Sequence, residues 1–471
     1  MYVYEYGPFR RTQHDKILRR ENMQQKTKLG INFGFRGWML LIFEITAFLL
    51  FQAFTNFPMN MLADAFGGAE LLSGLYTGGT LVGIVFQLIL AGKVSKMKSV
   101  KSMTMIFGVI TLLGALGVMT VAPGTAWLVC YFIVNVFAIM YGMFGIGIII
   151  GQWFPTRKGV FMGIATFAFP ICNGLMGPFA GIVFNPEYMA ASHGAPNIFG
   201  GFLPFLIVGI VGWVLGLIFI KDYPEQVGCF RDNDKSFTKE MADAMLATEI
   251  ENRKTTVWKV GNTFKCGSFW LITIPMGTLL GCSVGAMTQT SQIFAANGLA
   301  DKFEMLMGMV MIFALIGSYV LGLIDGKFGT KKAITVSVIV MLLAGILGAI
   351  GGGAMIPAII LLAVFMGAAS NFTVSGAAQY WRREDFSSVF GVVNPIANII
   401  QALGPMLFAI TIGVGMAKGM GTALPFIITA VIAVISLILI IAFKPANVKA
   451  TDDKYRAAAG KELDDVLVGR K

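Results

Sequence analysis

One phrase occurs twice in this chain. Gln152-Trp-Phe-Pro-Thr-Arg-Lys-Gly-Val-Phe-Met-Gly163 ends one long apolar run, opens another and leads on to Gly177-Pro178. Gln379-Tyr-Trp-Arg-Arg-Glu-Asp-Phe-Ser-Ser-Val-Phe-Gly391 does the same and leads on to Gly404-Pro405. The glutamines and the Gly-Pro pairs are each 227 positions apart, and the inner glycines 228, so one insertion and one deletion relate the copies. Aromatic residues suit the headgroup level and Arg/Lys the cytoplasmic side, so each copy reads as a cytoplasmic hairpin between two membrane spans. A chain that carries this hairpin twice is a duplicated membrane protein.

The remaining sequence divides accordingly. Twelve apolar runs lie near 38–57, 71–91, 103–121, 127–150, 160–184, 199–220, 268–290, 303–324, 333–350, 356–378, 388–414 and 422–443. Each is close to the roughly 20 residues that cross a bilayer. The expected organisation is a basic head (1–36), a six-helix bundle (37–220), a charged linker (221–266), a second six-helix bundle (267–443) and a charged tail (444–471). The head lacks the early apolar core and cleavage site of a secretory signal, so it is expected to stay attached. Within the linker, 241–250 could form one amphipathic helix. Hydrophobic residues are 56% of the chain and charged ones 13%, about half the share in a soluble domain.

Charge placement tests this layout. With both ends inside, 34 of the 36 Lys and Arg residues fall in inner segments, leaving only Lys302 and Lys418 outside. That asymmetry orients both termini toward the cytoplasm, and the plasma membrane is the expected location. It also removes nucleic acid as a partner, because the net charge of +11 is spread over every inner loop. An even number of spans per half makes the repeat parallel, about an axis along the membrane normal. The five cysteines form no CxxC pair and the two histidines lie outside the spans, so no disulfide, metal site or cofactor is expected.

Two six-span halves, a charged linker and basic loops after the second and eighth spans resemble the major facilitator superfamily over about 37–443. That family's loop signature is G-x-x-x-D-R/K-x-G-x-K/R. The second half reads Gly322-Leu-Ile-Asp325-Gly-Lys327-Phe-Gly329-Thr-Lys331-Lys332, with its Asp one place early. The first half reads Gly92-Lys-Val-Ser-Lys96-Met-Lys98-Ser99-Val-Lys101, with Lys in place of Asp and Ser in place of Gly. The resemblance implies a latch role for Asp325, Lys327, Lys331 and Lys332, and by extension for Arg157 and Arg382 in the repeated hairpin. Ordinary solvated inner-loop charges are the alternative. The Trp-Phe-Pro-x-Arg-x-Gly phrase is similar to the branch of oxalate–formate antiporters and monocarboxylate carriers.

Polar side chains inside apolar runs nominate a solute site, because they cost free energy unless a partner or water meets them. The candidates are Gln52 and Asn56 in the first span, Asn135 and Tyr141 in the fourth, Asn173 in the fifth and Gln289 in the seventh. In the tenth, Asn371 and Ser375 are four apart, and in the eleventh Asn394, Asn398 and Gln401 share one helical face. Hydrogen bonds between helices could satisfy any one of them; the eleventh-span trio reads better as a cavity face. Glu44 is the only acid well inside any run, Glu304 standing at the edge of the eighth, and is the candidate proton-coupling residue, with a structural role reaching Arg36 or water as its rival. Pro170 and Pro395 are candidate hinges.

These features point to a monomeric secondary transporter of a small organic solute, coupled to a proton or a counter-anion. No Lys or Arg stands in a span to balance a compact dianion, which favours an organic monoanion or amphipathic carboxylate. A neutral or drug-like solute, or a sensor built on a carrier, remain the alternatives. An enzyme is not expected, since the spans hold no clustered His, Cys or paired carboxylates.

Overall fold

The computed structural model describes residues 31–461 except 64, 65, 67, 95 and 156, so residues 1–30 of the head and 462–471 of the tail lie outside it. Among the described residues, eleven helices are individually long and apolar enough to cross a bilayer, and a bent pair supplies a twelfth. In chain order they are Gly34–Met61, Glu70–Val94, Val100–Thr120, Thr125–Trp153, the pair Lys158–Gly174 and Met176–Ala191, Ile198–Phe219, Gly267–Thr288, Ala300–Phe328, Thr330–Ile350, Gly352–Tyr380, Arg383–Ala417 and Ala423–Ala442. They are called the first to twelfth spans.

The fifth span departs from a single straight helix. It is built of Lys158–Ala165, Ala168–Gly174 and Met176–Val183, and its two parts are bent by 41°. Pro170 and Pro178 each lack the N–H that continues a helix, and Gly174 and Gly177 weaken the turns between them. The eleventh span, by contrast, holds Pro395 and Pro405 inside one continuous 35-residue helix. The fourth contains a π-helical stretch, Ile139–Gly145.

The linker forms a helix at Lys239–Lys254. Thr238 accepts the Met241 N–H at its start, and Arg253 and Lys254 lie in its last turn beside the exposed carbonyls. A second helix, Pro445–Ala458, follows the twelfth span.

Packing places the spans by depth. The apolar windows of the first, fourth and seventh spans are 72%, 89% and 78% buried, against 28% and 33% for the sixth and twelfth, so the former make the centre and the latter the rim. Between halves, the second span lies along the eleventh and the fifth along the eighth. The fifth–eighth approach is backbone to backbone: a Cβ on Gly163 would stand 3.6 Å from the Gly322 Cα. Small residues let membrane helices come this close.

The halves meet at both ends. At the end carrying the repeated hairpins, called here the basic end, a Cβ on Gly391 would lie 2.8 Å from the Ala91 Cβ, and Asn371 Nδ2 donates to the Gly159 carbonyl at 3.2 Å. Toward the other end, Thr77 Oγ1 donates to the Ala402 carbonyl at 2.9 Å, and a Cβ on Gly177 would sit 3.4 Å from Glu304. The bundle is closed above and below.

Candidate functional site

The sequence candidates fall into two groups once folded. In the first span, Asn56 Nδ2 donates to Gln52 Oε1 at 2.7 Å and Asn56 Oδ1 accepts from Thr55 Oγ1 at 3.4 Å, while Gln52 Nε2 is buried without a partner. Nearby, Tyr131 donates to the Thr55 carbonyl at 2.7 Å and Asn135 donates to the Tyr131 carbonyl at 2.8 Å. This cluster sits inside the first half.

Others reach across. Asn394 accepts from Thr373 Oγ1 at 3.3 Å within its own half and extends its Nδ2 to the Met143 carbonyl of the fourth span at 3.5 Å. Asn173 Nδ2 stands 3.5 Å from the Met366 sulfur. Asn398 is fully buried and neither of its amide atoms has a hydrogen-bond partner; Gln401 Oε1 and Gln289 Nε2 are likewise buried and unpartnered. Three second-span residues, absent from the sequence candidates, join this seam. Gln87 is fully buried with both amide atoms unpartnered, and Tyr76 lies beside Thr80 and Gln401. Their signal was present, since Thr80 and Gln87 are polar, lie inside an apolar run and are seven residues apart, which is two helical turns.

Glu44 is fully buried, and neither carboxyl oxygen has a hydrogen-bond partner among the described residues. Tyr141 stands close to it, on the π-helical stretch of the fourth span, with its hydroxyl also unpartnered. Such stretches often mark functional positions, because the extra residue loosens the hydrogen-bond ladder. Arg36, the structural partner considered for Glu44, instead donates to the Phe219 carbonyl at 2.8 Å.

The second group lies at the basic end, where the halves meet. Asp325 closes the eighth span; its Oδ1 accepts from Thr330 Oγ1 at 2.6 Å, and Thr330 N–H donates to Gln379 Oε1 at 2.7 Å. Its Oδ2 faces Gly159, where a Cβ would lie 3.1 Å away, and Lys158 is near enough for their charges to interact. The carboxylate thus meets the start of the fifth span, where the helix presents free N–H groups. Ser375 belongs to this group, beside Asp325, rather than to the centre.

The basic residues divide differently from the sequence expectation. Lys331 Nζ donates to the Phe443 and Ile441 carbonyls at 2.6 and 3.3 Å, capping the twelfth span of its own half. Lys327 and Lys332 are exposed over the Phe328 ring. Arg157 donates its backbone N–H to Asp232 and a guanidinium N–H to the Asn32 carbonyl, and Arg382 pairs with Asp452 of the tail helix at 2.9 Å. The contacts between halves come one residue later in each hairpin. Lys158 approaches Asp325, while Arg383 donates to the Gln152 carbonyl at 3.0 Å.

The linker adds ion pairs to this end. Glu249 pairs with Arg231 at 2.7 Å and with Arg383 at 2.9 Å. Burial alone would push this carboxyl up, but Arg231 and Arg383 outweigh it and hold Glu249 below the usual carboxylate range. Arg253 donates to the Val94 carbonyl at the end of the second span and, at 2.8 Å, to the Tyr223 hydroxyl.

Twelve spans in two halves around a buried polar seam have a counterpart in a known family. Residues 39–405 fit the Major Facilitator Superfamily profile. The chain belongs to that superfamily of membrane transporters. Among solved structures, the proton:xylose symporter XylE, bound to 6-bromo-6-deoxy-D-glucose, superposes with a TM-score of 0.63 at 13% identity, covering 86% of this chain and 95% of that one. The transporter FucP in its outward conformation gives 0.57 at 14% identity, over 86% and 98%. A variant of the same E. coli fucose:proton symporter gives 0.55 at 15%. At these identities the likeness is one of fold. No curated protein matches this chain. The twelve-span expectation holds, with the fifth span supplied by a bent pair of helices; the oxalate–formate and monocarboxylate branch receives no support from these matches.

Proposed function

We propose that this transporter moves a small organic monoanion together with one proton, by alternating access, with Glu44 as the proton site. The observation that carries the reading is a buried carboxyl without a partner beside a polar seam closed at both ends. An isolated buried charge is costly, so a carboxyl held this way suits a group that a proton joins and leaves during transport. No Lys or Arg of the central seam offsets an anion there, and a proton travelling with the monoanion makes the transported pair electroneutral. The basic end faces the cytoplasm of a plasma-membrane monomer, in accord with the charge asymmetry. A cysteine at Ser236 that labels from outside intact cells would overturn that orientation.

The test is uptake into proteoliposomes with and without a pH gradient. Glu44→Gln is expected to abolish gradient-driven accumulation while solute exchange at equal pH survives. Accumulation at the wild-type level would remove Glu44 from coupling, and absence of any uptake would favour a sensor. A neutral hydroxylated solute is the second reading, favoured by the unpartnered amides and by sugar symport in the named structural neighbours.

A further inference from the structure

The seam between the second and eleventh spans has a chemical signature of its own. The two helices run antiparallel, and two contacts set their register: Thr77 with the Ala402 carbonyl, and Ala91 against Gly391. Between these, Gln87 falls near the level of Asn394, and Thr80 near that of Asn398 and Gln401. The donors left without a partner are Gln87 Nε2, Asn398 Nδ2 and the Thr80 hydroxyl. The acceptors left without one are Gln87 Oε1, Asn398 Oδ1 and Gln401 Oε1. Gln87 and Asn398 are fully buried and Gln401 is 2% exposed, so bulk water does not meet these atoms in the closed state.

A bare carboxylate only accepts hydrogen bonds. It would meet the donors and leave three carbonyl oxygens facing its own negative oxygens. A hydroxyl both donates and accepts, so a solute with several hydroxyls can satisfy both sets. Sites that bind through buried hydrogen bonds strongly reject analogues lacking those groups, because the protein atoms are then stranded.

We infer that the solute is polyhydroxylated, its hydroxyls donating to the side-chain carbonyls of Gln87, Asn398 and Gln401 while its oxygens accept from the amides of Gln87 and Asn398. This rests on reading the seam as the transport site. Within the proposed monoanion class it selects a sugar acid over a simple monocarboxylate, and it makes the second span a specificity element.

The experiment compares gluconate, propionate and xylose as probes in proteoliposomes under the same pH gradient. Gluconate is expected to accumulate at least tenfold above propionate. Gln87→Leu and Asn398→Leu are each expected to lower gluconate uptake at least tenfold through KM, with no fall in Tm, since an apolar group of similar size replaces an unpartnered one. Gln87→Asn should recover part of the loss. Propionate moving as fast as gluconate would overturn the inference while leaving the carrier reading intact. Xylose moving without gluconate would support the hydroxyl requirement and reject the monoanion. Failure of all three probes would defeat the carrier reading and this inference with it.

Discussion

The two halves hold their hairpin ends by different means. In both, a lysine at the same place in the loop caps the last helix of its half: Lys101 Nζ donates to the Leu217 carbonyl at 2.7 Å, as Lys331 Nζ does to that of Phe443. Beyond that they diverge. The second half has Asp325, which ties Thr330 and faces the start of the fifth span. The first half has no acid in its loop, and Arg253 from the linker takes the Val94 carbonyl instead. Gln152, the counterpart of Gln379, lies 2.7 Å from the Asp222 carbonyl and 3.1 Å from Arg253. A helix end needs its exposed carbonyls met, and a borrowed arginine does this as well as a local residue. The consequence is that the linker, covalently a connector, completes the end of the first half through Arg253 while Glu249 ties it to Arg383 of the second.

Removing Arg253 should have the largest effect. Arg253→Ala strands the Val94 carbonyl and the Tyr223 hydroxyl, and two charge-assisted hydrogen bonds are worth about 3 kcal/mol together. A marked fall in Tm is expected, with the linker becoming sensitive to protease. A Tm unchanged from wild type would show that the first half does not depend on its linker.

Asp325→Asn preserves the shape and the Thr330 hydrogen bond but removes the charge facing the fifth span. A shift on the order of 1 kcal/mol in the closed–open balance is expected, hence about a fivefold change in transport rate with little change in abundance. Unchanged kinetics would place Asp325 with the ordinary loop charges and make the comparison one of helix capping alone.

Glu249 gives the smallest effect and the sharpest pH signature. Its carboxyl is held below its unfolded value of about 4.3, so its contribution is present above that pH and is lost as pH falls through the folded value. Glu249→Gln should therefore lower Tm by an amount worth about 1 kcal/mol at neutral pH. The gap to wild type should close on acidification below about pH 4.3. A gap independent of pH would mean that Glu249 contributes packing rather than charge.

Much of the architecture was legible before any coordinates. Span number follows from apolar length, because the bilayer leaves only helices of about 20 residues as an option. The duplication followed from the spacing of two phrases, and the candidates Asn394, Asn398 and Gln401 followed from helical period. What sequence reasoning assigned to the wrong contact was set by single-residue register: Arg157 and Arg382 turned to Asp232 and Asp452, leaving Lys158 and Arg383 to cross between halves.

The chain by itself determined how many helices enter the membrane, which end of the bundle is basic and which spans carry polar atoms, since these depend on composition along one dimension. The tertiary structure decided which polar atoms find partners. Gln52 and Asn56 lie one turn apart and share a hydrogen bond, which leaves only the Gln52 amide nitrogen of the pair without a partner. Gln87 and Asn398 lie on different halves, and both are buried without hydrogen-bond partners. It also decided that Arg253 meets Val94 across 159 positions of chain. Hydrogen bonding depends on distance and angle in three dimensions, and between residues so far apart the fold alone supplies both.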